Sequence, residues 1–280
     1  MNATLKVTAP AKLNLSLRVL RRREDGFHEI DSLMASLPGL YDRLTFRCAD
    51  QDEFSCNADG VPTDESNLVI RALLIFRRET RMTVPLAIHL EKLVPHGAGL
   101  GGGSSDAAAT LRALDRIHGT GLGHERLCRM AAEIGSDIPF FLGASVARVG
   151  GRGERVEQVP DLPRIPVLLL KPSFSVPTPE AYKHWKNSKE LPGVDYAVQK
   201  FEWGELVNDL ERPVFQKHLF LAEMKMWLMG QAGVAGALMS GSGSTMFAVL
   251  HDQQVADGII DSARKELDPK LWAWAGALGG

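Results

Sequence analysis

Hydrophobic residues in the first sixty positions alternate with polar ones, a period of two that is typical of β-strands with one buried face. The clearest strand spans 13–19, where Leu or Val alternates with Asn, Ser or Arg. A turn at 24–26 separates it from a second apolar run at 30–37. Short strands are also predicted at 42–48 and 53–56, so the N-terminal region is expected to form a sheet.

Beyond residue 60, helical and strand patterns follow one another without strict alternation, which favours the α+β class. Apolar residues three and four positions apart predict helices at 68–81, 104–118, 125–134, 179–186, 213–229 and 255–267. Period-two runs predict strands at 85–94, 145–149, 167–170, 236–240 and 246–250. Prolines near 160–163 predict a boundary between two domains, 1–160 and 161–280.

Charge and composition narrow the classes of partner. The chain of 280 residues has 32 basic and 34 acidic side chains, a net charge of −2, so no overall field attracts nucleic acid or an anionic membrane. The run 21–23 is Arg-Arg-Arg, but acidic residues follow it directly. We interpret this run as a solvated turn; a minor role beside a substrate diphosphate is the alternative.

The lack of recognisable targeting signals and the small number of cysteines favour a cytoplasmic protein. No apolar run approaches the roughly 18 residues of a membrane span, and no secretory signal is recognisable. The three cysteines have no metal-ligand spacing and are expected to be free thiols. We therefore expect that the protein binds neither a membrane nor a nucleic acid. We also expect it to be a monomer or a weak homodimer.

Glycines are concentrated at one place, between a predicted strand and a predicted helix. Of the 27 glycines, five fall within 97–103. Without Cβ atoms, consecutive backbone amides can converge on an anion, and the start of a helix adds free N–H groups. The loop is therefore interpreted as a polyphosphate cradle, in which Ser104 and Ser105 cap the helix or offer hydroxyls to a phosphate or its Mg²⁺. A flexible glycine turn is the alternative.

Three well-known nucleotide-binding signatures do not fit this loop. Gly97, Gly99 and Gly102 formally satisfy G-x-G-x-x-G, but a second helix follows where a dinucleotide fold needs a strand and an acidic residue. A Walker loop requires Lys-Ser or Lys-Thr after the glycines, which is absent. The chain also has neither the H-R-D nor the D-F-G tripeptide of protein kinases.

Other motifs carry polar groups suited to catalysis. Lys12 and Asn14 are two apart and share one face of the first strand, either as a polar site or as its solvent-facing side. Asp137, before Ile-Pro, is a carboxylate that can take a hydroxyl proton or cap a helix. Phe27 and His28 at a turn can stack on and read a nucleobase, or simply pack under the hairpin.

The segment 95–108, PHGAGLGGGSSDAA, resembles the second motif of the GHMP kinases, a superfamily of small-molecule kinases. Its Gly-Leu-Gly-Gly-Gly-Ser-Ser spelling is most similar to the branch that phosphorylates the 2-hydroxyl of 4-diphosphocytidyl-2-C-methyl-D-erythritol in non-mevalonate isoprenoid biosynthesis. The resemblance implies a two-domain GHMP-kinase-like α+β fold with an active site between the domains. It also implies an ATP-binding N-terminal domain, a substrate-binding C-terminal domain, ATP and Mg²⁺ as cofactors, and a small cytidine diphosphate substrate.

The same resemblance implies roles for individual residues. Asp137 would be the catalytic base and Lys12 its electrostatic partner at the transferred phosphoryl group, with Ser104 or Ser105 as the candidate ligand of the Mg²⁺ bound to ATP. The ATP-binding residues would be Pro95, Gly97, Gly99, Leu100, Gly101, Gly102, Gly103, Ser104, Ser105 and, beside the adenine, Asn67 and Leu68. The substrate-binding residues would be Asn14, Phe27, His28, Thr178, Tyr182 and, in a closing glycine turn, Gly241 and Gly243.

One departure and two alternatives accompany this interpretation. The branch has tyrosine where this chain has Phe27, which keeps a stacking face but loses a phenol hydrogen bond. A GHMP kinase acting on mevalonate or homoserine would not need Phe27, His28 and Tyr182. A catalytically silent nucleotide-binding regulator would not need Lys12 and Asp137.

Overall fold

Two β-sheets form the centre of the molecule. A computed structural model describes residues 4–279, and within this range it contains twelve strands. They are β1 (Leu5–Arg22), β2 (His28–Cys48), β3 (Glu53–Cys56), β4 (Leu86–Glu91), β5 (Val146–Gly151), β6 (Arg155–Gln158), β7 (Ile165–Lys171), β8 (Gln199–Phe201), β9 (Gly204–Asn208), β10 (Val234–Met239), β11 (Met246–Leu250) and β12 (Trp272–Leu278).

The same part of the chain forms seven α-helices and three short 3₁₀ segments. The helices are α1 (Leu68–Thr80), α2 (Gly102–His118), α3 (Gly123–Ile134), α4 (Thr178–His184), α5 (Glu211–Lys217), α6 (Leu219–Met229) and α7 (Ala256–Glu266). The 3₁₀ segments are Ile138–Leu142, Trp185–Asn187 and Gln253–Val255. None of the helices between residues 4 and 279 is long and apolar enough to cross a membrane.

The first sheet has the order β3-β4-β2-β1-β9-β8, and β5 with β6 pairs to the other half of the long strand β2. The β1–β2 pairing is antiparallel, whereas β9 joins β1 in parallel at Ser16 and Leu17. The second sheet has the order β10-β11-β7-β12. The mixed sheets and segregated helices confirm the predicted α+β class.

The hydrophobic core consists of three clusters, one on the outer face of each sheet and one between the two sheets. One cluster packs α1, α2 and α3 onto the first sheet, and another packs α5, α6 and α7 onto the second. The third lies where the two sheets face each other, and there Leu13 and Leu15 of β1 meet Val167 and Leu169 of β7. Since successive strand residues point to opposite faces, Lys12 and Asn14 face away from this core.

Several elements differ from the sequence prediction. The runs at 30–37 and 42–48 form one continuous strand, β2, while β6, β8, β9 and β12 were not predicted. The predicted helix 213–229 is divided at His218, where the backbone leaves the helical region at φ −122° and ψ 73°. The domain boundary predicted at 160/161 stays a prediction. Strand β7 starts shortly after it, but β8 and β9, which come later in the chain, belong to the first sheet.

Candidate active site

A cleft of about 1250 Å³ opens between β1, the turn joining β1 to β2, the start of α2, the segment before Ile138, and α4. Ten of the twenty candidate site residues predicted from the sequence line it. They are Lys12, Asn14, Phe27, His28, Gly99, Ser104, Asp137, Thr178, Tyr182 and Gly241. Residues far apart in the chain therefore meet in one cavity.

Lys12 and Asn14 form a buried polar pair on the cleft side of β1. The Lys12 ammonium donates to the side-chain oxygen of Asn14 and, over 2.7 Å, to the carbonyl of Gly99. Asn14 in turn donates to the hydroxyl of Ser32 over 2.8 Å. An ammonium group has three protons, so one remains to be donated into the cleft. Burial lowers the pKa of Lys12 to about 8, against the opposing attraction of the Asp137 charge.

The carboxylate of Asp137 is directed into the cleft and does not cap a helix. Asp137 precedes the 3₁₀ segment Ile138–Leu142, but its side chain makes no capping hydrogen bond. One of its oxygens accepts a hydrogen bond of 2.7 Å from the hydroxyl of Ser104, in the first turn of α2. No group between residues 4 and 279 donates to the second oxygen, which leaves it available to a substrate hydroxyl.

The glycine loop connects β4 to α2, and its shape depends on left-handed backbone angles. Gly97, Gly99 and Gly101 have φ values of 63°, 74° and 68°, a region that favours glycine. At Gly99 a Cβ atom would lie 2.2 Å from the carbonyl oxygen of Ser240. The first turn of α2 therefore begins from a loop that is tightly constrained and rich in backbone amides.

A second glycine turn, 240–244, closes against this loop. The Ser240 hydroxyl donates to the Gly99 carbonyl over 3.0 Å, and the Thr245 amide donates to the Ala98 carbonyl over 3.2 Å. At Gly241 a Cβ atom would lie 3.3 Å from the Lys12 ammonium, so this turn also borders the polar pair. Asn208 holds the turn from behind by donating to the Met239 and Gly241 carbonyls.

Not every predicted residue reaches the cleft with its side chain. Leu100 and Ser105 are buried, and only the backbone carbonyl of Leu100 contacts the site, by accepting from the Lys12 amide over 2.9 Å. Gly101, rather than either serine, occupies the N-cap of α2. Asn67 caps α1, because its side-chain oxygen accepts a 2.9 Å hydrogen bond from the Val69 amide.

The remaining predicted residues lie around these loops. Leu68 begins α1, and its side chain comes within 3.5 Å of the position of a Cβ atom at Gly103. Pro95 precedes the loop, next to the buried Val94. Gly243 belongs to the second glycine turn, with φ 88°. Gly102 begins α2 and lies beside the Lys92 ammonium.

Beneath the glycine loop lies a charged cluster that motif reading missed. The Lys92 ammonium pairs with Asp42 and, at 2.9 Å, with Asp106 of α2. Asp42 also accepts from the amides of Leu93 and Val94. Burial, with the neighbouring Asp42 charge, raises the pKa of Asp106 to about 7 despite Lys92. The cluster ties the strand before the loop to the helix after it, so it supports the loop from both ends.

Aromatic rings gather at one end of the cleft. His28 stacks on Tyr182 with ring centres 5.4 Å apart, and Trp185 meets His28 edge-on at 6.0 Å. The side chain of Phe27 is 49 % exposed, so it does not pack as a buried residue under the hairpin. The ring of Tyr182 faces His28 rather than Phe27, and Trp185 is an aromatic member that sequence reasoning missed.

Two properties make this arrangement suited to phosphoryl transfer. Backbone amides at the glycine loop and the start of α2 can hold a polyphosphate, while Lys12 supplies a positive charge beside it. Asp137 presents a free carboxylate oxygen that can orient a hydroxyl and accept its proton. The aromatic end, reached through the same cleft, can bind a base by stacking.

Comparison with known families agrees with this geometry. The family described as GHMP kinases N terminal domain matches residues 67–144, which include α1, the glycine loop and Asp137. The family described as GHMP kinases C terminal matches residues 198–268. The two matches therefore include both glycine turns.

Full-length relatives and solved structures are also similar to the chain. A 4-diphosphocytidyl-2-C-methyl-D-erythritol kinase from Methylacidiphilum infernorum is 41 % identical over 273 residues, covering 94 % of this chain and 93 % of that protein. One from Protochlamydia amoebophila is 40 % identical, covering 88 % and 84 %. A crystal structure of 4-(cytidine 5'-diphospho)-2C-methyl-D-erythritol kinase superposes with a TM-score of 0.80 at 34 % identity, covering 99 % of this chain and 100 % of that one. A homoserine kinase from Cytophaga hutchinsonii shares the fold, with a TM-score of 0.70 at 19 % identity, covering 99 % and 95 %.

Proposed function

Because the chain belongs to the 4-diphosphocytidyl-2-C-methyl-D-erythritol kinase family of the GHMP kinases, we propose that it transfers the γ-phosphoryl group of ATP to the 2-hydroxyl of 4-diphosphocytidyl-2-C-methyl-D-erythritol. This reaction would place it in isoprenoid precursor biosynthesis. The observation that carries the proposal is that one cleft joins the glycine loop, a carboxylate with a free oxygen and an aromatic end fit for a base.

The phosphates of ATP would lie on the glycine loop. The amides of 97–103 and the start of α2 provide donors, and Asn67 with Leu68 at the start of α1 would border the adenine. The third proton of Lys12 would reach the γ-phosphoryl oxygens, where charge must be stabilised during transfer. Since the Gly99 carbonyl accepts from Lys12, the ammonium is held against the loop itself.

The acceptor hydroxyl would approach the free oxygen of Asp137. Ser104 fixes the other oxygen, so the carboxylate is oriented before substrate arrives. Asp137 would take the proton as the oxygen attacks phosphorus in line with the departing ADP. Asn14, held by Lys12 and Ser32, would position the acceptor.

The residues present fit a magnesium ion that arrives with ATP. Within residues 4–279 no group of three or more His, Cys, Asp and Glu is arranged to hold a metal on its own. Magnesium often takes most of its ligands from phosphates and water, with one or two from the protein. The Ser104 hydroxyl oxygen lines the cleft and would complete such a set, whereas Ser105 is buried, and the bound ion would neutralise phosphate charge.

The cytosine would bind at the aromatic end. His28 and Tyr182 offer ring faces, with Phe27 as an exposed face nearby. Thr178, whose hydroxyl lies 2.8 Å from that of Ser242, and the turn containing Gly241 and Gly243 would close over the substrate. Mevalonate and homoserine contain no nucleobase that could bind there. The aromatic end would therefore select the cytidine substrate over these smaller alcohols.

Competition by free nucleotides tests this assignment. CMP and CDP should inhibit turnover competitively with the cytidine substrate, whereas UMP should be a weaker inhibitor because its ring edge differs. Initial rates at several inhibitor concentrations give the inhibition constants. An enzyme that CMP and CDP leave unaffected would contradict the cytidine assignment and favour a smaller acceptor such as mevalonate or homoserine.

The aromatic end also predicts a selective mutant effect. Tyr182→Ala should raise KM for the cytidine substrate about tenfold or more, because one base–aromatic stack contributes roughly 1–3 kcal/mol. KM for ATP should change less than about twofold, since Tyr182 stacks on His28 and the ATP phosphates are assigned to the glycine loop. Tyr182→Phe keeps the ring and serves as the control. Equal KM values for Tyr182→Ala and Tyr182→Phe would remove Tyr182 from the base site.

The ionisation of Lys12 is expected to determine how kcat/KM for ATP falls at alkaline pH. Its lowered pKa of about 8 means that the ammonium is charged below this pH and loses its proton above it. The kcat/KM for ATP, which reports ionisations of the free enzyme and free substrate, should therefore decline as pH rises through about 8. Lys12→Arg should be less active but show no such decline up to pH ~9.5, because arginine stays charged. A flat wild-type profile over this range would contradict the role of Lys12.

A further inference from the structure

The segment that links β9 to α5 carries polar side chains that the proposed reaction does not use. Its sequence is Asn208-Asp209-Leu210-Glu211, and the side chains of Asn208 and Glu211 are 4 % and 1 % exposed. Because a polar group is costly to bury unless it is hydrogen-bonded, the partners of these side chains indicate what the segment does.

Asn208 binds the second glycine turn. Its side-chain nitrogen donates to the carbonyl of Met239 over 2.7 Å and to that of Gly241 over 2.8 Å. Its side-chain oxygen accepts from the Leu210 amide over 2.9 Å. An asparagine amide has two N–H donors, and both are used on carbonyls of one short stretch of backbone. Asn208 therefore fixes the turn at its start.

Glu211 holds the same place from a second direction. One of its carboxylate oxygens accepts from the Met239 amide over 2.9 Å, and the other accepts from the Lys225 ammonium over 2.6 Å. The ion pair is buried, since Lys225 is also 1 % exposed. Met239 is the last residue of β10 and directly precedes the turn. Its amide and its carbonyl are thus both held by side chains of one segment.

Asp209 connects this segment to the strand that carries the catalytic lysine. The Asp209 amide donates to the Leu17 carbonyl over 2.9 Å, and the Val19 amide donates to the Asp209 carboxylate over 2.8 Å. Leu17 and Val19 belong to β1, as does Lys12. Four consecutive residues therefore hold both the turn and the strand that the turn must meet.

The contact between that turn and β1 is close. At Gly241 a Cβ atom would lie 3.2 Å from the side-chain oxygen of Asn14 and 3.3 Å from the Lys12 ammonium. Gly241 and Gly243 have left-handed φ values of 57° and 88°, so the turn consists of residues with much conformational freedom. Since a misplacement of about 1 Å can lower a catalysed rate about 100-fold, the turn needs an external support.

We propose that Asn208 is a positioning residue for phosphoryl transfer, because it holds the turn 240–244 against the Lys12 side chain. Glu211 and Asp209 fix the turn and β1 on either side of it. The inference rests on the proposed function, in which Lys12 contacts the γ-phosphoryl group and the turn closes over the substrate. In the part of the chain that the structure describes, Asn208 lies outside the cleft lining, so it acts through the turn alone.

Gln199 provides a matched control on the same strand. Its side-chain nitrogen donates to the Ala237 carbonyl and its oxygen accepts from the Ala237 amide, each over 2.9 Å. Ala237 lies in β10, two residues before Met239. Asn208→Ala and Gln199→Ala each remove an amide side chain that is bonded to the backbone of β10, but only Asn208 is bonded to the turn.

Steady-state kinetics and hydrogen exchange of the two variants test the proposal. Asn208→Ala should lower kcat per folded molecule about 10- to 100-fold while KM for ATP rises less than about threefold, since ATP is assigned to the glycine loop. It should also accelerate exchange of the Gly243 and Thr245 amides, which donate to the Ser240 and Ala98 carbonyls. Gln199→Ala should keep kcat within about twofold and leave exchange of the turn unchanged, even where its thermal stability falls as much.

The outcomes separate this inference from the proposed function. Wild-type kcat in folded Asn208→Ala, unchanged exchange of its turn, or an equal loss of kcat in Gln199→Ala overturns the positioning role and leaves the kinase proposal intact. Asn208→Ser retains an oxygen for the Leu210 amide and should repeat the loss of kcat if the alanine variant does not fold. Wild-type protein that forms no ADP with the cytidine substrate overturns the proposed function and this inference together.

Discussion

Replacing Asp137 with asparagine is expected to lower kcat about 10³-fold, because general base catalysis contributes roughly 10²–10⁴-fold and the amide cannot accept the proton. The change preserves size, and the Ser104 hydroxyl can still donate to the remaining side-chain oxygen. Affinity for ATP should therefore stay within about threefold of wild type. Steady-state ADP release gives kcat, and calorimetry with a non-hydrolysable ATP analogue gives the affinity.

A matched control separates catalysis from a general loss of negative charge. Asp257 is exposed in the first turn of α7, so Asp257→Asn removes one carboxylate from the chain but none from the cleft. Its kcat should equal that of wild type. Turnover by Asp137→Asn within threefold of wild type would remove Asp137 from the role of base and leave it as a binding residue.

Replacing Gly99 with alanine should damage both activity and stability. The new Cβ atom would lie 2.2 Å from the Ser240 carbonyl oxygen and 2.9 Å from that of Gly243, both of them backbone atoms that cannot rotate away. Left-handed strain and forced displacement together are expected to cost about 3 kcal/mol or more. The Gly99 carbonyl also accepts from Lys12, so kcat/KM should fall at least about 100-fold as the loops separate.

Gly121 provides the control for this substitution. Its φ of 58° is also left-handed, but a Cβ atom there would meet nothing within 4 Å. Gly121→Ala should cost only the backbone strain of roughly 1–2 kcal/mol and retain full activity. Thermal unfolding followed by circular dichroism compares the two variants. Equal stability and activity in both would contradict the account of how the two glycine turns interlock.

The sequence predicts those parts of the site whose conformation is determined by residues close together in the chain. The glycine loop follows from residue type, and the opposite orientations of Lys12 and Leu13 follow from strand alternation. The family resemblance implies that Asp137 is the base, and the absence of a capping hydrogen bond from its side chain favours this role over that of a helix cap. Such features depend on a few neighbouring residues.

The parts that could not be predicted depend on residues distant in the chain. Strand β9 forms by pairing with β1, about 190 positions earlier, and β12 by pairing with β7. The pairing of Lys92 with Asp42 and Asp106 brings together three separate elements, so spacing along the chain does not reveal it. The run that includes Arg22 has acidic neighbours in sequence, but only the fold places Arg22 and Arg152 on one cleft.

The most direct test of the central claim is the identity of the phosphorylated product. Purified protein is incubated with ATP, Mg²⁺ and 4-diphosphocytidyl-2-C-methyl-D-erythritol, and ADP and product are quantified together by liquid chromatography with mass spectrometry. The account predicts equal amounts of ADP and a cytidine product heavier by one phosphoryl group, located on the 2-hydroxyl by phosphorus NMR. Absence of ADP above background, or phosphorylation of mevalonate or homoserine in place of this substrate, would contradict it.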